Sequence, residues 1–322
     1  MQHRASRVSW YFIFGAVMIS LQIPYFIHTN QVRASSYPFI SGDTFRSIAN
    51  HIMDETTQSL LPENVAPYDI IFVKTDYVLH FFETLHHKIN NPYILITHNS
   101  DLSPIYRRTR TYTDGTTDLS RYLDDAKLIA WFAQNIDYVH PKLKPIPIGL
   151  ANSYWPHGNI ELFKNALDDL PAWETRSHLL YLNVDIKTNP TERKPIVDLL
   201  SQQAYVYHAA PKPPAAYLHE MKQYRFVVCP HGNGTDCHRA WEALLLGCTP
   251  IIQHSLLDSM FEGLPVILIH DWTDITEEFL ERQNIQIQTS PHRLEKIYAQ
   301  YWIRLIKNAQ ACPSPTYLSA PA

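Results

Sequence analysis

The sequence predicts an α/β protein of two domains, each built on a parallel sheet. Its 322 residues exceed the size of one average domain, and 45% of them are hydrophobic, which is enough for a large core. Short apolar runs rich in β-branched residues alternate with helical patterns, an order typical of parallel sheets covered by helices. A proline-dense segment, residues 141–158, is expected to form a crossover or cleft loop, and we place the domain boundary near Pro171.

The N-terminal residues predict a membrane anchor. Arg4 and Arg7 precede an uncharged stretch, residues 8–27, and about twenty such residues span a bilayer core. The basic residues before it favour a single-pass protein with a cytoplasmic N-terminus, in the bacterial inner membrane or, in a eukaryote, the Golgi. A cleaved signal peptide ending near Ala34 is the alternative. We expect a cytoplasmic tip and anchor at 1–30 and a polar stem at 31–43.

The first folded domain is predicted at 44–171. Apolar, β-rich runs at 69–74, 93–98 and 128–132 predict strands, and a helical pattern lies at 77–88. These elements are expected to form one parallel sheet.

The second domain is predicted at 172–310, followed by a flexible tail at 311–322. Strands are expected at 178–183, 204–208 and 265–269, and an amphipathic stretch lies at 291–307. Its clearest unit is a strand at 224–229, a glycine-containing loop at 230–236, a helix at 237–246 ended by Gly247, and a strand at 249–253. That order predicts a βαβ unit.

Charge and cysteine content exclude several classes of function. The 27 basic and 31 acidic residues are scattered, so no basic face indicates a nucleic-acid partner. The four cysteines form neither a CxxC pair nor a zinc-ligand spacing. Cys229 and Cys237 are left open as a disulfide or as two thiols.

The loop that joins this strand to its helix carries the residues best suited to chemistry. Gly232 and Gly234 permit a positive φ and a close approach of the backbone to a ligand. The helix that follows presents free N–H groups and a positive dipole end, which suit a pyrophosphate. Arg239 in its first turn can bind phosphate oxygens, and Glu242, one turn further, can accept hydrogen bonds from ribose hydroxyls.

This segment resembles one family of known enzymes. The string FVVCPHGNGTDCHRAWEALLLGCTPII, residues 226–252, is similar to the C-terminal domain of exostosin-like glycosyltransferases, glycosyltransferase family 47. Weaker similarity covers 94–101, 145–158, 183–193 and 271–272. The resemblance implies a GT-B architecture: two Rossmann-like domains that face a cleft, the first for the acceptor and the second for a nucleotide sugar.

The resemblance also implies a reaction and a set of site residues. A sugar would pass, with inversion, from a nucleotide sugar, expected to be a UDP-sugar, to a hydroxyl of a glycan, lipid-linked or protein-linked acceptor. No bound cofactor and no obligatory metal are expected, since the chain lacks a DxD motif. The predicted donor-binding residues are Arg193, His231, Gly232, Asn233, Gly234, Thr235, Asp236, His238, Arg239 and Glu242.

The general base is predicted among His98 and Asp101, which follow a strand of the first domain, and His157 of the proline-dense segment. Two alternatives stay open. One is a fucosyltransferase-like enzyme that uses a GDP-sugar. The other is a non-catalytic, membrane-tethered protein of the same fold that binds a glycan or a nucleotide.

Overall fold

The computed structural model describes residues 33–311 except 58–59, 111–112, 114 and 177, and it contains two α/β units. Each unit is built on a five-stranded sheet whose strands are all parallel. The predicted fold class is therefore confirmed at the level of two parallel-sheet α/β units.

The first sheet follows chain order. Its strands are β1 (His51–Met53), β2 (Asp69–Lys74), β3 (Tyr93–His98), β4 (Leu128–Ala133) and β5 (Leu143–Pro145). The three central strands are buried along most of their length, which explains why they read as continuous apolar runs in the sequence. The outer strands β1 and β5 were not predicted. Each has only three residues, HIM in β1 and LKP in β5, which is too few to show an alternation of apolar and polar side chains.

Helices of the first unit are short. They are α1 (Gly42–Arg46), α2 (Val78–His80) and α3 (Ile160–Leu167). The helical stretch predicted at 77–88 exists but is irregular, since α2 continues as a π-helical turn, Phe81–Leu85, and a 3-10 turn, His86–Lys88.

Residues 33–43, predicted as a polar stem, belong to the folded body. Phe39 and Ile40 are only 4% and 2% exposed, and Asp43 is fully buried. Arg33 donates hydrogen bonds to the Asp43 carboxylate, at 2.9 Å from Nε to Oδ2. The stem prediction is wrong for these residues because their few apolar side chains find partners that are distant in sequence.

In the second sheet the strand order does not follow the chain order. Its strands are β6 (His178–Leu182), β7 (Val206–His208), β8 (Tyr224–Val228), β9 (Thr249–Gln253) and β10 (Ile267–Ile269), in the spatial order β10-β9-β8-β6-β7. The chain adds β7 on one side of β6 and then crosses back to add β8 on the other. This reversal is a topological switch point, where the loops at the carboxyl ends of two neighbouring strands separate and leave a crevice.

The helices of the second half are α4 (Pro190–Leu200), α5 (Pro214–Met221), α6 (His238–Leu245), α7 (Asp258–Phe261), α8 (Glu277–Thr289) and α9 (Ala299–Ala311). The predicted βαβ unit is confirmed as β8-α6-β9, with β8 and β9 paired in parallel. Gly247, at φ 69°, follows α6 in the left-handed conformation expected of a helix-terminating glycine.

Helix α9 returns to the first unit. Although the sequence placed residues 172–310 in the second domain, α9 packs against β3 and β4 of the first sheet. Its buried residues recur every three to four positions, and they include Trp302 and Ile306. This apolar stripe covers the first sheet and ties the two units together.

The predicted anchor at 8–27 and the tail from 312 onward lie outside the described residues. Within the described ranges, every helix is too short or too polar to cross a bilayer.

Candidate functional site

A cavity of about 590 Å³ opens at the switch point of the second sheet. Its walls are the loops after β6, β7 and β8 and the first turns of α4, α5 and α6 on one side, and residues of the first unit, among them Asp101 and Ile148, on the other. We call it the switch-point cavity. Every predicted site residue except His98, His231 and Thr235 lines it. Residues that the sequence did not single out, among them Asn183, Lys212 and Tyr217, complete the lining.

Arg239 lines this cavity with a buried Nε that has no hydrogen-bonding partner in the described part of the chain. Burial opposes its charge, but neighbouring acidic groups, Tyr217 first and Glu242 among them, hold the pKa of Arg239 above its usual value. A guanidinium that stays charged and lines a cavity is a ready binding group for an anion.

Arg193, on α4, adds a second guanidinium to the same wall. It is 5% exposed, and its Nε and Nη1 donate to the carbonyls of His231 at 2.8 Å and Asp185 at 2.9 Å. Burial and the nearby charge of Arg239 lower the pKa of Arg193. Carbonyl groups therefore hold the Arg193 guanidinium at the cavity wall, near the charge of Arg239.

The two loop glycines make room for side chains of the protein itself. Neither Gly232 nor Gly234 has a positive φ, so that part of the prediction is wrong. A Cβ at 234 would lie 2.4 Å from Nδ2 of Asn135, and one at 232 would lie 3.1 Å from Nη2 of Arg193. The loop backbone lies close to Asn135 of the first unit and to the cationic side chain of Arg193, while its predicted close approach to a ligand stays a prediction.

Glu242 lies one turn beyond Arg239 on the cavity wall. It is 7% exposed, and its Oε2 accepts a hydrogen bond of 3.0 Å from the Tyr217 hydroxyl. Burial raises the pKa of Glu242, while Arg239 opposes the rise. The carboxylate is held by one protein donor and keeps acceptor capacity for a hydroxyl-bearing ligand.

Asp236 joins the loop to the first unit. Its Oδ2 accepts from the Ile148 N–H at 2.7 Å, both oxygens are 3.0 Å from Trp241 Nε1, and its own N–H donates to Asn135 Oδ1 at 2.9 Å. Burial raises the pKa of Asp236 to about 6. Both oxygens are occupied by protein donors, so the geometry gives this residue a role in joining the units.

Asn233 strengthens the same contact. Its Nδ2 lies 3.3 Å from Asp101 Oδ2, and its carbonyl accepts from the Arg110 N–H at 2.7 Å. Asp101 is exposed and lines the switch-point cavity from the side of the first sheet.

His98 does not line the switch-point cavity. It is 1% exposed, its Nε2 lies 3.0 Å from the Pro147 carbonyl, and its Nδ1 accepts from the Asn99 N–H at 2.7 Å. Burial lowers the pKa of His98 to about 4. Because both ring nitrogens are engaged, the geometry does not place this histidine to take a proton from a ligand.

Two further cavities adjoin the switch-point cavity. The first-sheet cavity, of about 370 Å³, is lined by Glu55, Lys74, His98, Gln134, Trp155 and others, and shares Asp101, Ile148 and His238 with the switch-point cavity. The rear cavity, of about 480 Å³, contains His231 and Thr235 and shares Asp101, Asn233 and Gly234. Asp101 therefore lies where all three meet.

The remaining histidines differ in how they are held. His231 is 4% exposed, with Nδ1 3.2 Å from Glu192 Oε2, and its Nε2 has no partner among the described residues. His157 is exposed at its outer side, and its ring meets that of His238 edge to face at a centroid separation of 6.5 Å. Partial desolvation of the ring and the neighbouring His238 lower the pKa of His157.

Cys229, Cys237 and Cys248 are free thiols in the structure, so the pair left open in the sequence is unbonded. Within the described part of the chain, no group of three or more His, Cys, Asp or Glu side chains could hold a metal ion.

Comparison with known proteins gives little similarity. No family model matches the chain, and no curated protein matches it. The solved structure of UDP-GlcNAc 2-epimerase from Methanocaldococcus jannaschii aligns over 74% of this chain and 77% of that chain, at 12% identity and a TM-score of 0.36. At that TM-score the similarity is too low to assign a function.

Proposed function

We propose that this protein is a glycosyltransferase that uses a nucleotide-sugar donor. The observation that supports the proposal most directly is Arg239, a guanidinium in the switch-point cavity whose Nε has no acceptor among the described residues. A buried guanidinium nitrogen without an acceptor is costly unless a ligand supplies one.

The ligand that fits these cations carries a diphosphate. Arg239 and Arg193 repel each other across the cavity, and a diphosphate between them would relieve that repulsion. Helix α6 begins at His238 on the same wall, so its first N–H groups add donors that suit phosphate oxygens. An arginine pair and a helix start are a metal-free way to stabilise a leaving diphosphate.

The rest of the cavity fits a nucleoside. Glu242 supplies an acceptor for ribose hydroxyls one turn from Arg239, and Pro211, Pro214 and Tyr217 offer an apolar wall for a base. The volume of about 590 Å³ falls within the range of roughly 300 to 1,000 Å³ that is usual for small-molecule sites. We propose a UDP-sugar as the donor, with a GDP-sugar as the alternative.

The first-sheet cavity suits the acceptor. Gln134 is 1% exposed and its Oε1 lacks a partner among the described residues, while Trp155 is 44% exposed. An unsatisfied oxygen acceptor and an exposed aromatic ring on the walls of one cavity suit the hydroxyl groups and the apolar face of a sugar. The shared wall at Asp101 and His238 would bring an acceptor hydroxyl next to the donor.

This arrangement supports a GT-B enzyme of exostosin-like character that transfers a sugar with inversion to a glycan, lipid-linked or protein-linked acceptor. The similarity of residues 226–252 to that family stays a prediction. Attachment to a membrane through residues 8–27 is also part of the proposal.

The test is nucleotide binding and donor turnover by the full-length protein in detergent. UDP, GDP, CMP and ADP would be titrated by calorimetry with and without a chelator, and the corresponding nucleotide sugars assayed for hydrolysis and transfer to a glycan panel. We expect chelator-resistant binding of one nucleotide, lost in Arg239→Ala and kept in the control Arg282→Ala on the exposed side of α8. Binding without turnover would instead support a non-catalytic binding protein, and no binding would refute the donor site.

A further inference from the structure

His238 is held by a backbone carbonyl of the first unit through one ring nitrogen. It is the first residue of α6, and its Nδ1 lies 2.7 Å from the carbonyl oxygen of Gly149 in the first unit. A carbonyl oxygen can only accept a hydrogen bond, so Nδ1 carries the proton in the neutral ring. Nε2 then carries the lone pair, in the tautomer that suits a general base.

The position of His238 matches that orientation. It lines both the switch-point cavity and the first-sheet cavity. These are the two cavities to which the proposed function assigns donor and acceptor. A base must lie within reach of the attacking hydroxyl at the boundary between the two substrates.

We propose that Nε2 of His238 is the general base of the transfer, an inference that rests on the proposed function. As the acceptor oxygen forms its bond to the anomeric carbon, the bond from that carbon to the phosphate oxygen breaks. The bonding pair leaves with the nucleoside diphosphate, which Arg239 and Arg193 neutralise. The hydroxyl proton moves to Nε2, and the imidazolium later releases it to water.

The charged groups around His238 support this role. Burial and the charge of Arg239 lower the pKa of His238, whereas the Gly149 hydrogen bond and Asp101 raise it. His98 and His157 also lie nearby. The net direction is downward, so the ring is neutral and able to accept a proton at neutral pH.

The candidates predicted from the sequence fit less well. Both nitrogens of His98 are engaged by backbone groups. Asp101 is exposed, and its carboxylate is already hydrogen-bonded to Asn233. His157 is exposed and packs beside the Trp155 ring, at 6.2 Å between ring centroids. His238 combines a fixed tautomer with a place at both cavities.

The decisive variant is His238→Asn in the full-length protein. An asparagine amide nitrogen can replace Nδ1 as the donor to Gly149, while no group replaces Nε2. We expect UDP affinity within about twofold of the wild type and a turnover about 10²- to 10⁴-fold lower, the usual contribution of a general base. The matched control is His219→Asn on the exposed face of α5.

Three measurements separate the outcomes: UDP binding, hydrolysis of UDP-glucose, UDP-N-acetylglucosamine and GDP-fucose, and the ¹⁵N shifts of the His238 ring. A wild type that binds no nucleotide, or that turns over no donor, refutes the proposed function. A wild type that is active, with equal activity in His238→Asn, refutes the base alone. A neutral His238 ring that carries its proton on Nε2 would also refute the general-base role. Loss of turnover with intact binding, and loss of the acidic limb of the pH–rate profile, would support it.

Discussion

Replacing Arg239 by alanine is expected to weaken nucleotide binding while it changes the free energy of unfolding little. Burial of the guanidinium opposes folding, while attraction to Glu242 favours it, and no described acceptor of the Nε hydrogen bond would be lost. Because these terms oppose each other, we expect the free energy of unfolding to change by no more than about 1 kcal/mol.

The effect on binding is larger. A hydrogen bond to a charged partner contributes about 1.5 to 3 kcal/mol, and each 1.36 kcal/mol is a factor of ten. Loss of the contact to a diphosphate should therefore weaken UDP binding by about 10- to 150-fold. Arg239→Lys should recover part of this loss, since lysine keeps the charge but not the two-pronged geometry.

The assay is calorimetric titration with UDP at fixed ionic strength, beside urea unfolding of each variant in the absence of ligand. Arg282→Ala serves as the control, because that residue is exposed on α8. A folded Arg239→Ala protein with unchanged UDP affinity would refute the diphosphate site. A loss of several kcal/mol in unfolding free energy would show that Arg239 is structural.

Three further predictions follow from the same region. Glu242→Gln should weaken UDP binding about tenfold through the ribose, yet leave pyrophosphate binding unchanged or tighter by calorimetry, because a negative charge near the phosphates is gone. The pKa of Asp236 is raised to about 6 in the folded state from 3.8. The folded protein therefore binds this proton more tightly than the unfolded chain does, and the contribution of Asp236 to the free energy of unfolding grows as pH falls from 7 to 5. Urea unfolding should show the stability difference between wild type and Asp236→Asn increasing by about 1 to 1.5 kcal/mol over that interval, and a constant difference would contradict the shift. Gly234→Ala should cost about 1 to 3 kcal/mol of unfolding free energy, because its Cβ would lie 2.4 Å from Asn135 Nδ2. Adding Asn135→Gly should recover part of that loss, and strictly additive effects would count against the clash.

The βαβ unit around α6 could be predicted closely because each boundary has a local cause. The apolar run of β8, the turn residues after it and the left-handed Gly247 all act over a few neighbouring positions. The strand order of the second sheet could not be predicted from local sequence in the same way. The crossing of the chain from β7 over β6 to β8 depends on pairings between residues far apart in sequence.

The candidate site was predictable in composition and less so in the roles of its members. Proline and glycine content locates a loop, but it does not show that the Asp236 carboxylate accepts hydrogen bonds from Ile148 and Trp241. Nor can a sequence reveal that the Arg239 Nε has no acceptor among the residues that the structure describes, since that depends on which carboxylates the fold brings near. The tautomer of His238 is fixed by Gly149, a residue of the other unit.

The loop after β8 both contacts the first unit and positions Arg239, so a change in one of these roles affects the other. Asn233 and Asp236 bind the first unit, while Arg239, directly after this loop, faces the switch-point cavity. Any ligand that favours this loop conformation must also favour the contact between the units, and the reverse holds by thermodynamic linkage. Breaking the contact between Asp101 and Asn233 should therefore weaken nucleotide binding as well. We therefore expect the two units and the proposed donor site to be coupled, since the proposed base, His238, keeps its hydrogen bond to Gly149 only when the units are in contact.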